Sequence, residues 1–174
     1  MTIEFGVAQA IDAQAFGEPG NRTFRLRVIG SSDQLACLWV EKQQLQALDL
    51  ALMQVLAQLN YEGEPPGGGV DFPEESQHEF RVGRMAIGFD PVDGTVILHT
   101  FELGDDDDEE PSLRVRLVKD QCAALDVRLK EIIASGRPVC RLCGASIDPG
   151  GHACVRSNGH SRLPIPEEDA EEES

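Results

Sequence analysis

The chain has 174 residues, 31 Asp+Glu against 15 Lys+Arg and a formal charge of −16. Its length fits one domain with a small appendage, and 41% hydrophobic residues supply one core, which excludes a wholly disordered chain. The acidity excludes a protein that coats nucleic acid over its whole surface, since phosphates must be met by Lys and Arg.

No apolar run approaches the ~20 residues needed to cross a bilayer. The opening MTIEFGVAQA has neither the basic patch nor the apolar stretch of a signal peptide. A cytoplasmic protein without membrane insertion is expected.

In chain order, residues 1–62 read as β-β-β-α. VAQAIDAQAF turns at Glu18-Pro19-Gly20-Asn21 into TFRLRVIG, where Phe24, Leu26 and Val28 alternate with Arg25 and Arg27. Period-two apolar residues around such a turn predict antiparallel strands. LACLWV (35–40) predicts a third strand, and Leu45, Leu48, Leu52, Val55 and Leu56 form the single apolar stripe of a helix. Residues 63–78 read as a connector, in which GEPPGGG is followed by no Lys-Ser/Thr of a phosphate loop.

Residues 79–136 repeat the pattern. EFRVGRMAIGF turns at Pro91-Val92-Asp93-Gly94 into TVILHTFEL, then SLRVRLV (112–118), then a helical stripe of Cys122, Leu125, Leu129, Ile132 and Ile133. The two stripes match step for step at an offset of 77, as do Lys42 with Lys119, Gln44 with Gln121, and Asp49 with Asp126. The expected fold is therefore α+β: two pseudo-repeated β-β-β-α units packed together, each helix burying its stripe on a sheet face. One sheet or two is left open. Cys37 and Cys122 are expected to pack as small apolar side chains.

The charge is local. Asp105–Glu110 and Glu167–Glu173 contribute six negatives each, leaving −4 on the remainder. The first run falls where five residues are added to the second half. Both read as solvated segments, and residues 164–174 as a disordered acidic tail that begins at Pro164 and Pro166. Asp105–Asp108 lacks the spaced ligands and turn glycine of a calcium loop.

Residues 137–163 hold a Cys/His cluster: Cys140-Arg-Leu-Cys143-Gly144, then His152-Ala-Cys154, then His160. C-x2-C lets two thiolates grip one ion from a tight turn, and a distal Cys/His pair completes a zinc tetrahedron. The expected ligands are Cys140, Cys143, Cys154 and His160, with His152 as the alternative fourth ligand. Asp148-Pro149-Gly150-Gly151 supplies a turn between the half-sites. With Leu142, Ile147 and Val155 as its main apolar residues, the segment has no core, so one structural Zn²⁺ would supply its folding free energy. Four protein ligands leave no open position for catalysis. Arg137, Arg141, Arg156 and Arg162 face one acid, Asp148, which makes the module basic.

The C-x2-C-G…D-P-x-G-H-x-C…R-x-N-G-H ending after a two-part body resembles an uncharacterised actinobacterial repeat-protein family with a C-terminal zinc-knuckle ending. The resemblance spans the chain up to the acidic tail. It implies no established activity and no catalytic residues; neighbouring genes in that family encode a phosphatidylinositol-kinase-like and a histidine-phosphatase-like protein, which implies a regulatory or scaffolding partner.

No G-x-S-x-G, dinucleotide glycine fingerprint or H-E-x-x-H is present. His78, in the connector, and His99, on a strand, read as structural. The expected function is a zinc-binding, non-catalytic protein-interaction or adaptor/regulatory protein with an unidentified protein partner. The alternatives are a nucleic-acid-associated protein using the arginines around the zinc, or an enzyme with a site between the repeats.

Overall fold

The protein is described from a computed structural model, which covers residues 1–18, 20–65, 67, 70–104 and 110–135. The chain divides into two compact units, residues 1–16 with 23–133, and residues 17–22 with 134–174. In the second unit, Arg22 Nη1 donates to Ser135 Oγ at 3.2 Å. The expected zinc module, the acidic tail and residues 105–109 lie outside the described residues.

The elements run β1 (Ile3–Val7), β2 (Ala10–Glu18), β3 (Asn21–Ile29), β4 (Leu35–Val40), α1 (Lys42–Gln58), β5 (His78–Asp90), β6 (Thr95–Glu102), β7 (Leu113–Leu117) and α2 (Lys119–Ser135). The fold is mixed α+β, as the periodicities predict. One seven-stranded sheet takes every strand, in the order β1-β7-β6-β5-β4-β3-β2. Both turns fall where Pro, Asp and Gly place them: β2 ends at Glu18 and β3 starts at Asn21, while β5 ends at Asp90 and β6 starts at Thr95. At the second turn Asp90 Oδ1 accepts from Val92 N–H and Asp93 Oδ1 from Thr95 N–H.

β1 is a strand that the alternation does not reveal. It pairs in parallel with β7, Ile3 opposite Leu113, and its register shifts between Glu4 and Val7. Gly6 sits in that shift at φ +64°, where an added Cβ would meet Ser31 Oγ at 2.4 Å. An extra residue breaks the period of two, so the strand loses its sequence signature.

The two end strands of the order, β1 and β2, are consecutive in the chain. Ala8 N–H donates to Arg116 O of β7, while Gln9 N–H donates to Ile29 O, the last residue of β3, both at 2.8 Å. The sheet therefore has its two edges brought together at Ala8–Gln9, which satisfies backbone groups that an open edge leaves bare. β5 bridges in a related way. Its first residues pair in parallel with β4, Trp39 opposite Arg81, and its remainder pairs antiparallel with β6, with a register shift between Val82 and Arg84. That shift reverses the facing, so Arg81 and Arg84 both turn away from the core while Met85 and Ile87 pack against it.

One core holds the inward residues of the strands (Leu26, Leu38, Val96, Leu98, Val115) and the stripes of both helices (Leu45, Leu48, Leu52; Cys122, Leu125, Leu129, Ile132). Each helix start is closed by a glutamine. Gln44 Oε1 accepts Glu41 N–H at 2.7 Å, and its Nε2 donates to Val82 O at 3.0 Å. Gln121 Oε1 accepts Val118 N–H at 2.9 Å, and its Nε2 donates to Ala8 O at 2.8 Å. Each glutamine answers an orphan helix N–H and ties the helix to a backbone carbonyl beside a register shift, Val82 in β5 and Ala8 just after β1.

Candidate functional site

The expected zinc ligands Cys140, Cys143, Cys154 and His160, and the alternative His152, all lie outside the described residues. Among the described residues no group of three or more His, Cys, Asp or Glu is placed to hold a metal ion. Cys37 and Cys122 are free and buried. Burial pushes the Cys122 thiol up to about 12; it pushes Cys37 up too, against a hydrogen bond from Arg25 that pulls it down. Neither is poised as a thiolate. His78 is the first residue of β5, its ring edge-on to Phe5 at 5.8 Å. His99 Nδ1 accepts from Arg114 Nε at 3.4 Å, and burial followed by the Arg114 charge lowers its pKa below the ordinary imidazole range.

A charged cluster joins the helices. Lys130 Nζ lies 2.9 Å from Asp49 Oδ1 and 2.5 Å from Asp126 Oδ1. Both carboxylates are mostly covered, and burial together with a hydrogen bond to Asp49 raises the Asp126 carboxyl above the usual range, against the pull of Lys130. At the other ends of the helices, Tyr61 Oη donates to Asp120 Oδ1 at 2.6 Å.

A groove of about 590 Å³ lies where the start of β2 meets α2. Gln9, Asp12, Gln121, Arg128 and Glu131 give it polar walls, and Ala10, Ala124 and Leu125 its apolar floor. Arg128 Nε donates to Ala13 O at 3.2 Å, and the guanidinium lies 3.7 Å from Asp12 and 3.5 Å from Glu131, so its charge is already answered. Among the described residues the groove's lining carries no hydroxyl, thiol, imidazole or amine, and its two carboxylates, Asp12 and Glu131, both lie beside Arg128. A second groove of about 120 Å³ lies over α1 and β5, lined by Gln44, Ala47, Leu48, Ala51 and Met85–Ile87. Gln44, Ala47, Leu48 and Ala51 stand 77 positions before Gln121, Ala124, Leu125 and Arg128. One groove is lined with charges where the other is apolar.

The remaining polar feature is the sheet face turned away from the helices. Six of the eight arginines among the described residues project from it. The alternation of Arg25 with Leu26 and of Arg114 with Val115 foreshadows this face; the register shift that adds Arg84 is invisible in the pattern.

The family model described as protein of unknown function (DUF3090) matches residues 3–154. The chain belongs to that family. The DUF3090 segment takes in all seven strands, both helices, Cys140, Cys143, His152 and Cys154, and ends before His160. No curated protein and no solved structure matches the chain. None of the helices described for this DUF3090 member is long and apolar enough to cross a membrane.

Proposed function

We propose that this DUF3090 protein is a zinc-binding, non-catalytic interaction protein, an adaptor or regulator whose α+β body carries a zinc-knuckle module on Cys140, Cys143, Cys154 and His160, with His152 as the alternative fourth ligand. The observation that carries the reading is the ligand spacing. A C-x2-C pair, a turn-forming Asp-Pro-Gly-Gly and a distal Cys/His pair stand in a segment with too few apolar residues for a core. Three thiolates and one imidazole close the tetrahedron, so the metal holds a fold instead of binding substrate.

We read the body as two β-β-β-α repeats, β2–β4 with α1 and β5–β7 with α2, with β1 preceding the first. Supporting this are helices of equal length at the same offset as their stripes, Gln44 and Gln121 in equivalent bonding roles, and Asp49 and Asp126 sharing Lys130. The acidic tail keeps the protein soluble and follows the basic module directly.

The test is a pull-down with the tagged full-length chain, zinc-loaded and chelator-treated. A protein retained by the zinc-loaded chain and released by chelator is expected; an identical retained set in both states would contradict the role given to zinc.

A further inference from the structure

Across five neighbouring strands, the face opposite the helices alternates flat and charged groups. Phe16 stands on β2, Arg25 on β3, Trp39 on β4, Arg81 and Arg84 on β5, and Phe101 on β6. The registers make these cross-strand neighbours: Arg25 is opposite Trp39, Trp39 opposite Arg81, and Arg84 opposite Phe101. The guanidinium groups also lie over the rings. The Arg25 guanidinium lies 4.8 Å from the Phe16 ring centre and 5.7 Å from that of Trp39. Arg84 lies 3.6 Å over Phe101, and Arg27 lies 4.5 Å over Phe72 of the connector.

The carboxylates of this face select which arginines can meet a ligand. Arg81 pairs with Glu41, Arg114 with Glu4, and Arg116 with Asp90 and Asp93. Glu79 is occupied by the Trp39 indole N–H at 2.7 Å. Arg25, Arg27 and Arg84 rest on rings and take part in none of the ion pairs found among the described residues. What remains is therefore three positive charges lying over rings, Arg25 also donating to Gln14 Oε1 at 2.8 Å and Arg27 near the charges of Asp12 and Glu74, beside Phe16, which is 42% exposed, and a half-buried Trp39.

We propose that this face binds single-stranded nucleic acid, its bases stacking on the aromatic and guanidinium planes while Arg25, Arg27 and Arg84 meet phosphates. Stacked planes next to positive charge are what unpaired bases on a phosphate backbone require. An acidic peptide would need charge without the flat surfaces, and in a duplex the base faces are closed. The local charge also reconciles binding with the chain's −16, because screening at physiological ionic strength confines each charge to about 8 Å. The inference goes beyond the zinc reading and uses no residue of the zinc module.

Trp39 is the chain's single tryptophan, so its fluorescence reports on this face alone. The experiment titrates the full-length chain with a labelled single-stranded RNA, the DNA of the same sequence and its duplex, following anisotropy and Trp39 emission with and without chelator. Saturable binding of single strands with quenching of Trp39 is expected, unchanged by chelator, so that loss of the zinc reading would leave this one standing. A preference for the RNA assigns 2′-hydroxyl contacts, and equal affinity assigns stacking and phosphate alone. Trp39→Ala weakens binding by roughly tenfold, the worth of one stacked base, and Trp39→Phe restores most of it. Arg25→Gln and Arg84→Gln each flatten the salt dependence by about 0.7 in slope, one phosphate contact each. Absence of saturable binding, a duplex bound as tightly as the single strand, full competition by polyglutamate, or binding untouched by these substitutions in variants with native circular dichroism would each overturn the proposal.

Discussion

At the scale of single residues, Lys130 holds together two carboxylates that the packing of the helices forces to meet. Burial alone would lower the ammonium pKa, but the hydrogen bonds to Asp126 and Asp49 outweigh it and raise the value, so Lys130 stays charged well above neutrality. Asp126 has its pKa raised, first by burial and then by Asp49. A carboxyl raised in the native state contributes stability that is present below its unfolded value of about 3.9 and is lost as pH rises through the native value. At neutral pH the pair is tolerated because Lys130 offsets part of its charge. Lys130→Met is therefore expected to destabilise by about 1 kcal/mol at neutral pH and by clearly less in acid, toward which the raised Asp126 carboxyl takes up its proton earlier than a free one. Urea unfolding of both proteins at neutral and at acid pH checks this; an equal loss at both would show that the lysine acts by packing its stem. The match of Asp49 with Asp126 is legible in the sequence. That Lys130 lies between them is not, because it depends on how two helices cross.

At the scale of elements, the helices were the most legible part of the chain. A stripe such as Leu45, Leu48, Leu52 has one reading, and all three residues are buried. The strands that keep strict alternation, β3 and β7, were equally plain. β1 and the middle of β5 were not, because a register shift inserts one residue and turns the pattern over. Next to the same shifts lie backbone carbonyls that need partners, and Gln44 and Gln121 supply them. Gln121→Ala removes both the Val118 and the Ala8 bonds, so a loss of about 1–3 kcal/mol is expected, against less than about 0.5 kcal/mol for an alanine at an exposed position of the same helix. Chemical denaturation measures it, and a loss no larger than at the exposed position would remove the glutamine from its tying role. The zinc module makes a contrasting element. Its ligand pattern is among the clearest in the sequence, whereas its geometry lies outside the described residues. On the proposed reading, Cys140→Ser unfolds residues 138–162 and spares the β-β-β-α body. Hydrogen exchange should then show protection lost in 138–162 and retained in α1 and α2; equal loss in both regions would contradict it.

At the scale of the whole molecule, the charge of −16 is a sum over unlike parts. Two acidic runs account for twelve negatives, the helices share one lysine between two aspartates, and the arginines collect on the opposite face of the sheet. A composition that excludes a coat of nucleic acid over the whole surface is compatible with a local patch, and only the strand registers reveal which arginines share one face. The fold class and the two helices follow from periodicity; the joining of the sheet edges at Ala8–Gln9 does not, because it rests on two backbone hydrogen bonds far apart in sequence. The proposed adaptor function rests on the metal. Native mass spectrometry of the full-length chain, with Cys143→Ser, Cys154→Ser, His152→Ala and His160→Ala beside it, tests that claim directly. One zinc per chain is predicted, lost in both cysteine variants and in one histidine variant only, which names the fourth ligand. A wild-type chain purified with zinc present that carries none, or cysteine variants that keep it, would contradict the account.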